Sequence, residues 1–322
     1  MTDPAVLPGG STRGSAGPAV AGGPAMPPRI RAVQRLELTG SSVTARDPRL
    51  PGFMHDLVRP YGLAVREDLL ASGTGQAFGE LADPLVAALA PSGAEPIDLI
   101  VLAYSMHDVQ PGRSTATYLS HICPGAPFSF SICDQGAAAA FSGLRLIQAY
   151  AHAGQCRRAL LIVAEQSALH YELPAPVPMP DRHAAVAVLF DGTGPAAVDP
   201  VRQHPDVAPQ AAATLVAAEL RQLIGDRGSE ATLILGSGLA GYAAALDLPV
   251  AVEQVVTAPA GLPTAGAWWE LAGGLAGWAS EQRLVLLADY DPVLRYLSLC
   301  AADFAGAPRA DAAALRVAGG VR

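Results

Sequence analysis

The sequence predicts an α/β protein in which a mostly parallel sheet is covered by helices on both faces. Short apolar runs alternate with longer helical patterns along most of the 322 residues, and this alternation is typical of parallel strands joined by helices. Apolar residues make up 51% of the chain and charged residues only 16%. That balance favours strands that are buried on both faces.

A repeat of element order is the third observation. Each half of the chain runs helix, strand, glycine-containing turn, helix, strand, which indicates a duplicated α/β architecture. The predicted organisation is a disordered tail poor in large apolar residues over 1–28, a first half over 29–195, a second half over 196–308 and a flexible tail over 309–322.

The elements of the first half follow from its apolar runs and turn residues. Residues 45–75 contain turns and show no clear period. The predicted elements are a strand over 29–39, a helix over 77–90, a strand over 97–103, a helix over 114–121 with Ser114 as N-cap, a strand over 128–132, a helix over 137–152, and strands over 159–164 and 183–190.

The second half begins after an exposed segment over 195–208. The predicted elements are a helix over 211–224, a strand over 231–235, a glycine-rich turn with a short helix over 236–247, a strand over 250–256, a helix over 264–279 and a strand over 284–288. Residues 293–304 fit either a helix or a strand.

The stretch from Phe128 to Glu165 carries the clearest chemistry. Its first strand ends in a sharp corner, C-D-Q-G over 133–136, and an apolar helix with small residues in its first turn follows. A helix that is apolar on nearly all sides is buried, and its N-terminal N–H groups stabilise a thiolate or an oxyanion. We therefore predict that Cys133 is an acyl-transfer nucleophile.

Composition excludes several kinds of function. The net charge of -8 argues against general binding to nucleic acid or acidic membranes. No apolar run reaches the roughly 18 residues of a membrane span, and no signal-peptide pattern is seen, so we expect a cytoplasmic protein. The chain has no lysine and no asparagine, which rules out lysine Schiff bases and a P-loop lysine.

The cysteines predict neither a metal site nor a bound cofactor. Cys123, Cys133, Cys156 and Cys300 form no C-x-x-C pair, so a tetrahedral zinc site is not expected. The three cysteines other than Cys133 are expected to be buried, reduced thiols.

Residues 231–241, A-T-L-I-L-G-S-G-L-A-G, offer a competing interpretation. A strand followed by G-x-G-x-x-G, with Glu253 further on, matches a dinucleotide-binding fingerprint. The helix after the glycines is short, because it ends near Asp247, before Pro249. A dinucleotide-binding oxidoreductase is therefore only the minor alternative.

Five segments resemble the β-ketoacyl synthase III enzymes. They are I-D-L-I-V-L-A-Y-S over 97–105, F-S-F-S-I-C-D-Q-G-A-A-A over 128–139, A-L-L-I-V-A-E over 159–165, D-R-H-A-A-V-A-V-L-F over 181–190 and, in the second half, G-L-P-T-A-G-A over 261–267. The resemblance covers residues 29–195 best. It implies the thiolase superfamily, with a duplicated five-layer α-β-α-β-α fold and usually a homodimer.

The resemblance also implies acyl chemistry on a cysteine. Corners of the thiolase type read C-x-x-G, which matches Cys133 and Gly136. Synthase III corners more often read C-x-G, which would place Asp134 at the nucleophile position, and both registers stay open. A charge on Asp134 would oppose formation of the neighbouring thiolate.

The residues that assist the cysteine in the family are missing here. A second-half histidine is expected just after residues 231–235, where this chain has Gly236-Ser237-Gly238. An asparagine is expected near 261–264, and His204 lies outside the expected position. The decarboxylating machinery is thus absent or rebuilt.

Two function hypotheses follow from this departure. The first is a ketosynthase III-like acyltransferase of specialised, polyketide- or fatty-acid-related biosynthesis that takes an acyl group from acyl-CoA or an acyl carrier protein. The second is a catalytically inactive subunit that pairs with a related synthase as a heterodimer.

Further residues are candidates for binding and proton transfer. His107 could act as a general base, although a local bond to Asp108 is the simpler interpretation. Ser237 and the amides of Gly236 and Gly238 could replace the missing oxyanion donors. Arg113 and the pair Arg157-Arg158 could meet a phosphopantetheine group or an acidic carrier protein. Glu165 is expected either at an interface or in contact with the residues that hold the reacting groups, rather than in catalysis.

Overall fold

The computed structural model describes residues 27–91, 93–174, 177–225, 227, 230–249 and 252–305. The predicted C-terminal tail, 309–322, lies outside these ranges. So does the predicted N-terminal tail, except for residues 27 and 28.

The first half contains five strands and five α-helices among the described residues. In chain order they are β1 (Arg29–Leu38), α1 (Leu50–Val58), α2 (Glu67–Ser72), α3 (Phe78–Leu89), β2 (Leu99–Ala103), α4 (Thr115–Ile122), β3 (Phe128–Ile132), α5 (Ala139–His152), β4 (Ala159–Glu165) and β5 (His183–Asp191). Ser114 is the N-cap of α4, as predicted, and its hydroxyl accepts the Thr117 N–H at 3.3 Å.

The second half begins with a short connecting strand. Its elements are β6 (Ala196–Val198), β7 (Arg202–His204), α6 (Pro209–Ile224), β8 (Ala231–Leu235), a 3₁₀ helix (Ser237–Ala245), β9 (Val252–Thr257), α7 (Gly266–Ser280), β10 (Leu284–Asp291) and β11 (Tyr296–Asp303). The ambiguous segment 293–304 is therefore mostly a strand.

The strands of the two halves lie in the same spatial order. The first half reads β3-β2-β4-β5-β1, and the second reads β9-β8-β10-β11 with β7 beside β11. In each half three strands are parallel, β2–β4 in one and β8–β10 in the other. The short β6 pairs with both β1 and β11, so hydrogen bonds link the sheets of the two halves into one sheet of eleven strands.

Helices form three layers around these two sheets. The apolar helices α5 and α7 lie between the sheets: α5 contacts β2, β4 and β11, whereas α7 contacts β10, β1 and β5. The rings of Phe141 and Trp268 meet there, with centroids 5.3 Å apart. One outer face is covered by α3 and α4 and the other by α6 and the 3₁₀ helix. The predicted duplicated α-β-α-β-α architecture is confirmed.

The sequence pattern missed short elements. The segment 45–75 contains α1 and α2, and the segment expected to be exposed, 195–208, contains β6 and β7. No described helix is both long enough and apolar enough to cross a bilayer.

Candidate active site at the strand ends

The carboxyl ends of the parallel strands bring most of the candidate residues together. Tyr104 follows β2, Cys133 follows β3 and Glu165 ends β4, while Gly236 follows β8. Because parallel strands end at the same edge of a sheet, this edge is the usual location of a site in α/β proteins.

Cys133 is exposed, and its thiol does not lie at the start of the central helix. A 3₁₀ turn, Gly136–Ala138, comes first, and α5 begins only at Ala139. The prediction of a buried thiol at the helix N-terminus is therefore wrong. The reason is that the left-handed backbone of Asp134, with φ of 59°, turns the chain before the helix starts.

Neighbouring groups keep the thiol protonated. Partial burial raises the pKa of Cys133, and a hydrogen bond to Asp134 and that residue's charge raise it further. The Sγ donates to Asp134 Oδ2 at 3.2 Å. Tyr104 lies within hydrogen-bonding reach and lowers this pKa, but its effect is the smallest. The shift is opposite in direction to the thiolate expected from the helix dipole.

The 3₁₀ turn that leads into α5 already has an anionic partner. Ala137 donates its N–H to Asp291 Oδ2 at 3.2 Å. Gly136 has φ of 50°, and a Cβ there would lie 1.7 Å from the same oxygen. Glycine is thus needed so that Asp291, at the end of β10, can approach the helix. The electrostatic position that favours an anion is occupied by the protein's own carboxylate.

A matching contact caps the other central helix. Glu165 Oε1 accepts the N–H groups of Thr264 and Ala265, just before α7 begins. In each half, the strand that follows the central helix therefore ends in a carboxylate that caps the central helix of the other half. Glu165 thus lies between the halves, and its hydrogen bonds give it a structural role.

Two fully buried carboxyl groups lie at this junction. Glu165 and Asp289 are each 1% exposed, and burial raises the pKa of both to about 8. Among the described residues, Glu165 Oε2 and Asp289 Oδ2 have no hydrogen-bond partner. Burial therefore favours the protonated, neutral form of both groups at neutral pH.

The glycine loop after β8 packs against Asp289. A Cβ at Gly236 would lie 1.9 Å from the Asp289 carboxyl carbon, and one at Gly238 would lie 1.7 Å from the Tyr290 carbonyl oxygen. The Gly236 N–H donates to the Ala288 carbonyl at 2.8 Å, and the Gly238 N–H bonds the Asp289 carboxylate. The N–H groups of Gly236 and Gly238 therefore already have acceptors within the protein and are not free to bind an oxyanion. Ser237, which lies between them, is half-buried.

The same packing removes the basis for dinucleotide binding. The element after these glycines is a 3₁₀ helix, Ser237–Ala245, rather than the α-helix that a pyrophosphate site requires. The close approach that the glycines permit is made by β10 of the protein itself.

A pocket of about 370 Å³ lies at this edge of the sheet, and Tyr104 in its lining is within hydrogen-bonding reach of Cys133. It is lined by Tyr104, Ser131, His107, Asp108 and Arg113, among others. Both ring nitrogens of His107 have partners: Nδ1 is 2.8 Å from the Asp108 carbonyl oxygen and Nε2 is 2.8 Å from the Tyr171 hydroxyl. His107 and Arg113 therefore share a pocket, but the ring nitrogens of His107 are bonded to groups other than Cys133.

Arg113 also belongs to an open basic surface. A shallow pocket of about 680 Å³ is lined by Arg46, Arg49 and Arg113 around Asp47. Hydrogen bonds from Arg49 hold the pKa of Asp47 well below its ordinary value. Within the described residues no group of three or more metal-binding side chains is found.

Comparisons with solved structures show the fold. The 3-oxoacyl-(acyl carrier protein) synthase III, FabH, of Pseudomonas aeruginosa PAO1 superposes with a TM-score of 0.60 at 19% identity, over 87% of this chain and 98% of that chain. A variant of OleA from Xanthomonas campestris gives 0.58 at 13% identity, over 87% and 99%.

A third structure is similar over the same architecture. MvaS in complex with 3-hydroxy-3-methylglutaryl coenzyme A has a TM-score of 0.51 at 14% identity, over 90% of this chain and 87% of that chain. This chain has the fold that these three proteins share, a thiolase-like fold. The resemblance to synthase III proteins is thereby confirmed at the level of the fold. No family model and no curated protein matches the sequence.

Within this thiolase-type fold, sequence reasoning missed several site residues. Asp289 and Asp291 occupy the junction of the halves, Tyr104 adjoins the thiol, and Arg46 and Arg49 extend the basic surface. The run A-D-Y-D at the end of a predicted strand could have indicated Asp289 and Asp291, because carboxylates that are buried at a strand end need hydrogen-bond donors.

Proposed function

We propose that this chain accepts an acyl group from a thioester onto Cys133 and passes it to an oxygen or nitrogen acceptor, without forming a C–C bond. The observation that carries the proposal is the exposure of this one thiol at the strand edge. The other three cysteines are buried, and burial raises the pKa of Cys123 to about 11 and of Cys156 to about 12.

The proposed reaction is an exchange of thioesters followed by acyl transfer. The Cys133 sulfur attacks the donor's carbonyl carbon, the donor C–S bond breaks, and the donor leaves as a thiol with the proton that Cys133 loses. An acceptor hydroxyl or amine then attacks the new thioester, and its proton returns to the Cys133 sulfur. The chain supplies a thiol of raised pKa, so we expect the first step to accelerate with pH.

Decarboxylative condensation is not part of the proposal. The family assists that step with a histidine and an asparagine, or with two histidines. Here the corresponding loops pack on Asp289 and Glu165, which are buried carboxyl groups. A protonated, enclosed carboxyl group has no route to a substrate carboxylate, so transfer without condensation fits these residues better.

The basic surface supports a phosphorylated donor. Arg46, Arg49 and Arg113 line one open pocket, and the ion pairs that Arg49 and Arg113 form there share a single carboxylate, Asp47. Guanidinium groups bind phosphates and acidic protein surfaces well. We therefore propose acyl-CoA or an acyl carrier protein of polyketide- or fatty-acid-related biosynthesis as the donor.

Intact mass spectrometry tests the acyl transfer. Wild-type protein incubated with hexanoyl-CoA, or with hexanoyl carrier protein, should gain the mass of one acyl group. The adduct should be absent from Cys133→Ala and present in the buried-thiol control Cys123→Ala. Release of CO₂ from a malonyl donor would overturn the exclusion of condensation.

A homodimer through β3 is part of the proposal. This strand lies at the end of the sheet, and Phe128 is 59% exposed. The rings of Phe128, Phe130 and Tyr150 form an aromatic cluster on this edge. An unpaired apolar edge strand favours pairing with another chain, and pairing here would enclose the neighbouring Cys133.

Light scattering after size exclusion tests the dimer. Wild type should elute with twice the mass of one chain, and Phe128→Arg should elute as a monomer, because a charge is placed in the paired edge. Val293→Arg is the control, since Val293 is also exposed (67%) but lies in the second half. A monomeric wild type, or equal effects of both variants, would contradict dimerisation through β3.

One observation favours the inactive-subunit hypothesis as a second candidate. The Cys133 thiol bonds to Asp134 of its own corner, whereas the start of α5 is held by Asp291 and Thr264 of the second half. Among the described residues, the hydrogen bond from the thiol goes to this first-half carboxylate, and no second-half histidine or asparagine, as the family uses, is bonded to it. No adduct from any donor, together with co-purification with an active synthase, would support this candidate.

A further inference from the structure

A separate pocket lies at the opposite ends of the first-half strands. It has a volume of about 570 Å³ and is formed at the amino ends of β2 and β4, beside the last turns of α5. Cys133 follows the carboxyl end of β3, which is parallel to β2. The volume falls within the roughly 300–1,000 Å³ of ligand pockets, and the acyl-transfer site contributes no lining residue.

The floor of this pocket is apolar. Ile147 and Ala151 come from α5, Ala159 from β4 and Phe190 from β5, and Cys156 lies between α5 and β4. Each of these residues is at most 6% exposed. Such a floor favours an aliphatic ligand, because binding there removes the ligand's own apolar surface from water.

Two guanidinium groups lie at the rim. Arg158 is only 14% exposed at its side chain; its Nη1 donates to the Glu95 carbonyl at 2.8 Å, and its Nε has no partner among the described residues. Arg157 is exposed, and within the part of the chain that the structure describes its guanidinium forms no ion pair. These arginines can still bind an anion.

The carboxylates that line the pocket are largely satisfied by the protein. Asp98 Oδ2 accepts the N–H groups of Arg157 and Arg158 at 2.8 and 3.0 Å. Asp191 Oδ1 accepts the Thr193 N–H at 2.7 Å. The Glu95 side chain is 87% exposed and lies 3.7 Å from Arg158. Among the described lining residues, the side-chain donors left without a protein partner are therefore the Arg157 guanidinium and the Arg158 Nε.

We propose that this pocket binds an aliphatic carboxylate. The chain of the ligand lies on the floor formed by Ile147, Ala151 and Phe190, and its carboxylate pairs with Arg157 and Arg158. A neutral hydrocarbon would leave the Arg158 Nε without a hydrogen-bond acceptor, and a multiply charged phosphate would place its charge near Glu95. The site is independent of Cys133, so its occupancy does not depend on the proposed acyl transfer.

Calorimetric titration with dodecanoate tests the site on the full chain. We expect one saturable site, with dodecanol at least about ten-fold weaker because it lacks the charge that pairs with arginine. Arg157→Gln and Arg158→Gln should each weaken dodecanoate binding by about ten-fold. Arg145→Gln, which removes an exposed charge from α5 elsewhere, should bind as wild type does.

Photo-crosslinking locates the ligand. A diazirine-bearing dodecanoate should label peptides that contain residues 147–158 or 190–193. Labelling at 104–131, no saturable binding, or equal effects of Arg145→Gln and Arg157→Gln would overturn the proposal. Since Arg157 is exposed, Arg157→Gln is expected to keep its fold, which circular dichroism checks.

Discussion

In the corner after β3, an unusual backbone conformation places a carboxylate beside the Cys133 thiol, whose pKa is raised. Asp134 is a non-glycine residue with φ of 59°, a conformation that aspartate and asparagine tolerate better than most residues. In that conformation its carboxylate reaches the Cys133 Sγ at 3.2 Å. The corner therefore fixes an acceptor beside the thiol, and this arrangement keeps the sulfur protonated until pH rises. The alternative alignment, in which Asp134 and not Cys133 corresponds to the nucleophile of the synthase III enzymes, stays a prediction.

Asp134→Asn should make Cys133 more reactive. Asparagine keeps the left-handed backbone and removes the negative charge, so the pKa of the thiol falls and more thiolate is present at pH 7.5. We expect alkylation by iodoacetamide to be roughly three- to five-fold faster, the size of one nearby charge in a solvated setting.

Asp206→Asn is the matched control for this change. Asp206 is exposed, has φ of 57° and pairs with Arg295 in the second half. Its variant should alkylate at the wild-type rate. An Asp134→Asn rate equal to or slower than wild type would show that the carboxylate does not suppress the thiol.

At the scale of elements, the two central helices are capped by strands from the opposite halves. Asp291 at the end of β10 accepts the Ala137 N–H and, through Oδ1, the N–H groups of Val293 and Leu294. Glu165 at the end of β4 accepts two N–H groups before α7. Side-chain caps of this kind stabilise helices, here across a domain junction.

Asp291→Ala should destabilise the fold. It leaves the start of α5 and the turn after β10 without an acceptor, and we expect about 1–2 kcal/mol less free energy of unfolding in urea. Asp206→Asn again serves as control, and it should change stability by less than about 0.5 kcal/mol. Unchanged unfolding of Asp291→Ala would contradict the capping role.

Continuous apolar strands were predictable from the sequence, whereas short helices and contacts between distant segments were not. The strand over 231–235 was predicted to the residue, because a continuous apolar run that ends at a glycine is typical of a buried strand. The helices α1 and α2 were missed because each is short and neither has a side-chain N-cap hydrogen bond. The capping of α5 by Asp291 was not predictable, since it depends on contact between segments 154 residues apart.

The whole molecule consists of two copies of one motif that are joined through buried acid groups. Burial raises the pKa of Glu165 and Asp289 to about 8. At a pH below the ordinary pKa of a carboxyl group, both side chains are protonated in the folded chain and in the unfolded chain. Between about pH 4 and 8 the unfolded chain releases these protons while the folded chain retains them, so folding loses stability as pH rises and the loss levels off above about pH 8.

Glu165→Gln should flatten that pH dependence. Glutamine can still accept the N–H groups before α7, yet it carries no proton to lose. The decrease in the free energy of unfolding between pH 5 and 8 should be smaller than in wild type by on the order of a few kcal/mol. Glu95→Gln, at an 87% exposed side chain, should keep the wild-type slope. Identical slopes for Glu165→Gln and wild type would refute the role of the buried acid.

Locating the residue that carries the acyl group tests most directly whether Cys133 is the nucleophile. Wild-type protein is incubated with hexanoyl-CoA at pH 8.5, digested at low pH and analysed by tandem mass spectrometry. We expect one hydroxylamine-sensitive acyl group, on Cys133. An acyl group on any other residue, or no adduct under conditions that acylate a small-molecule thiol, would contradict the proposed chemistry.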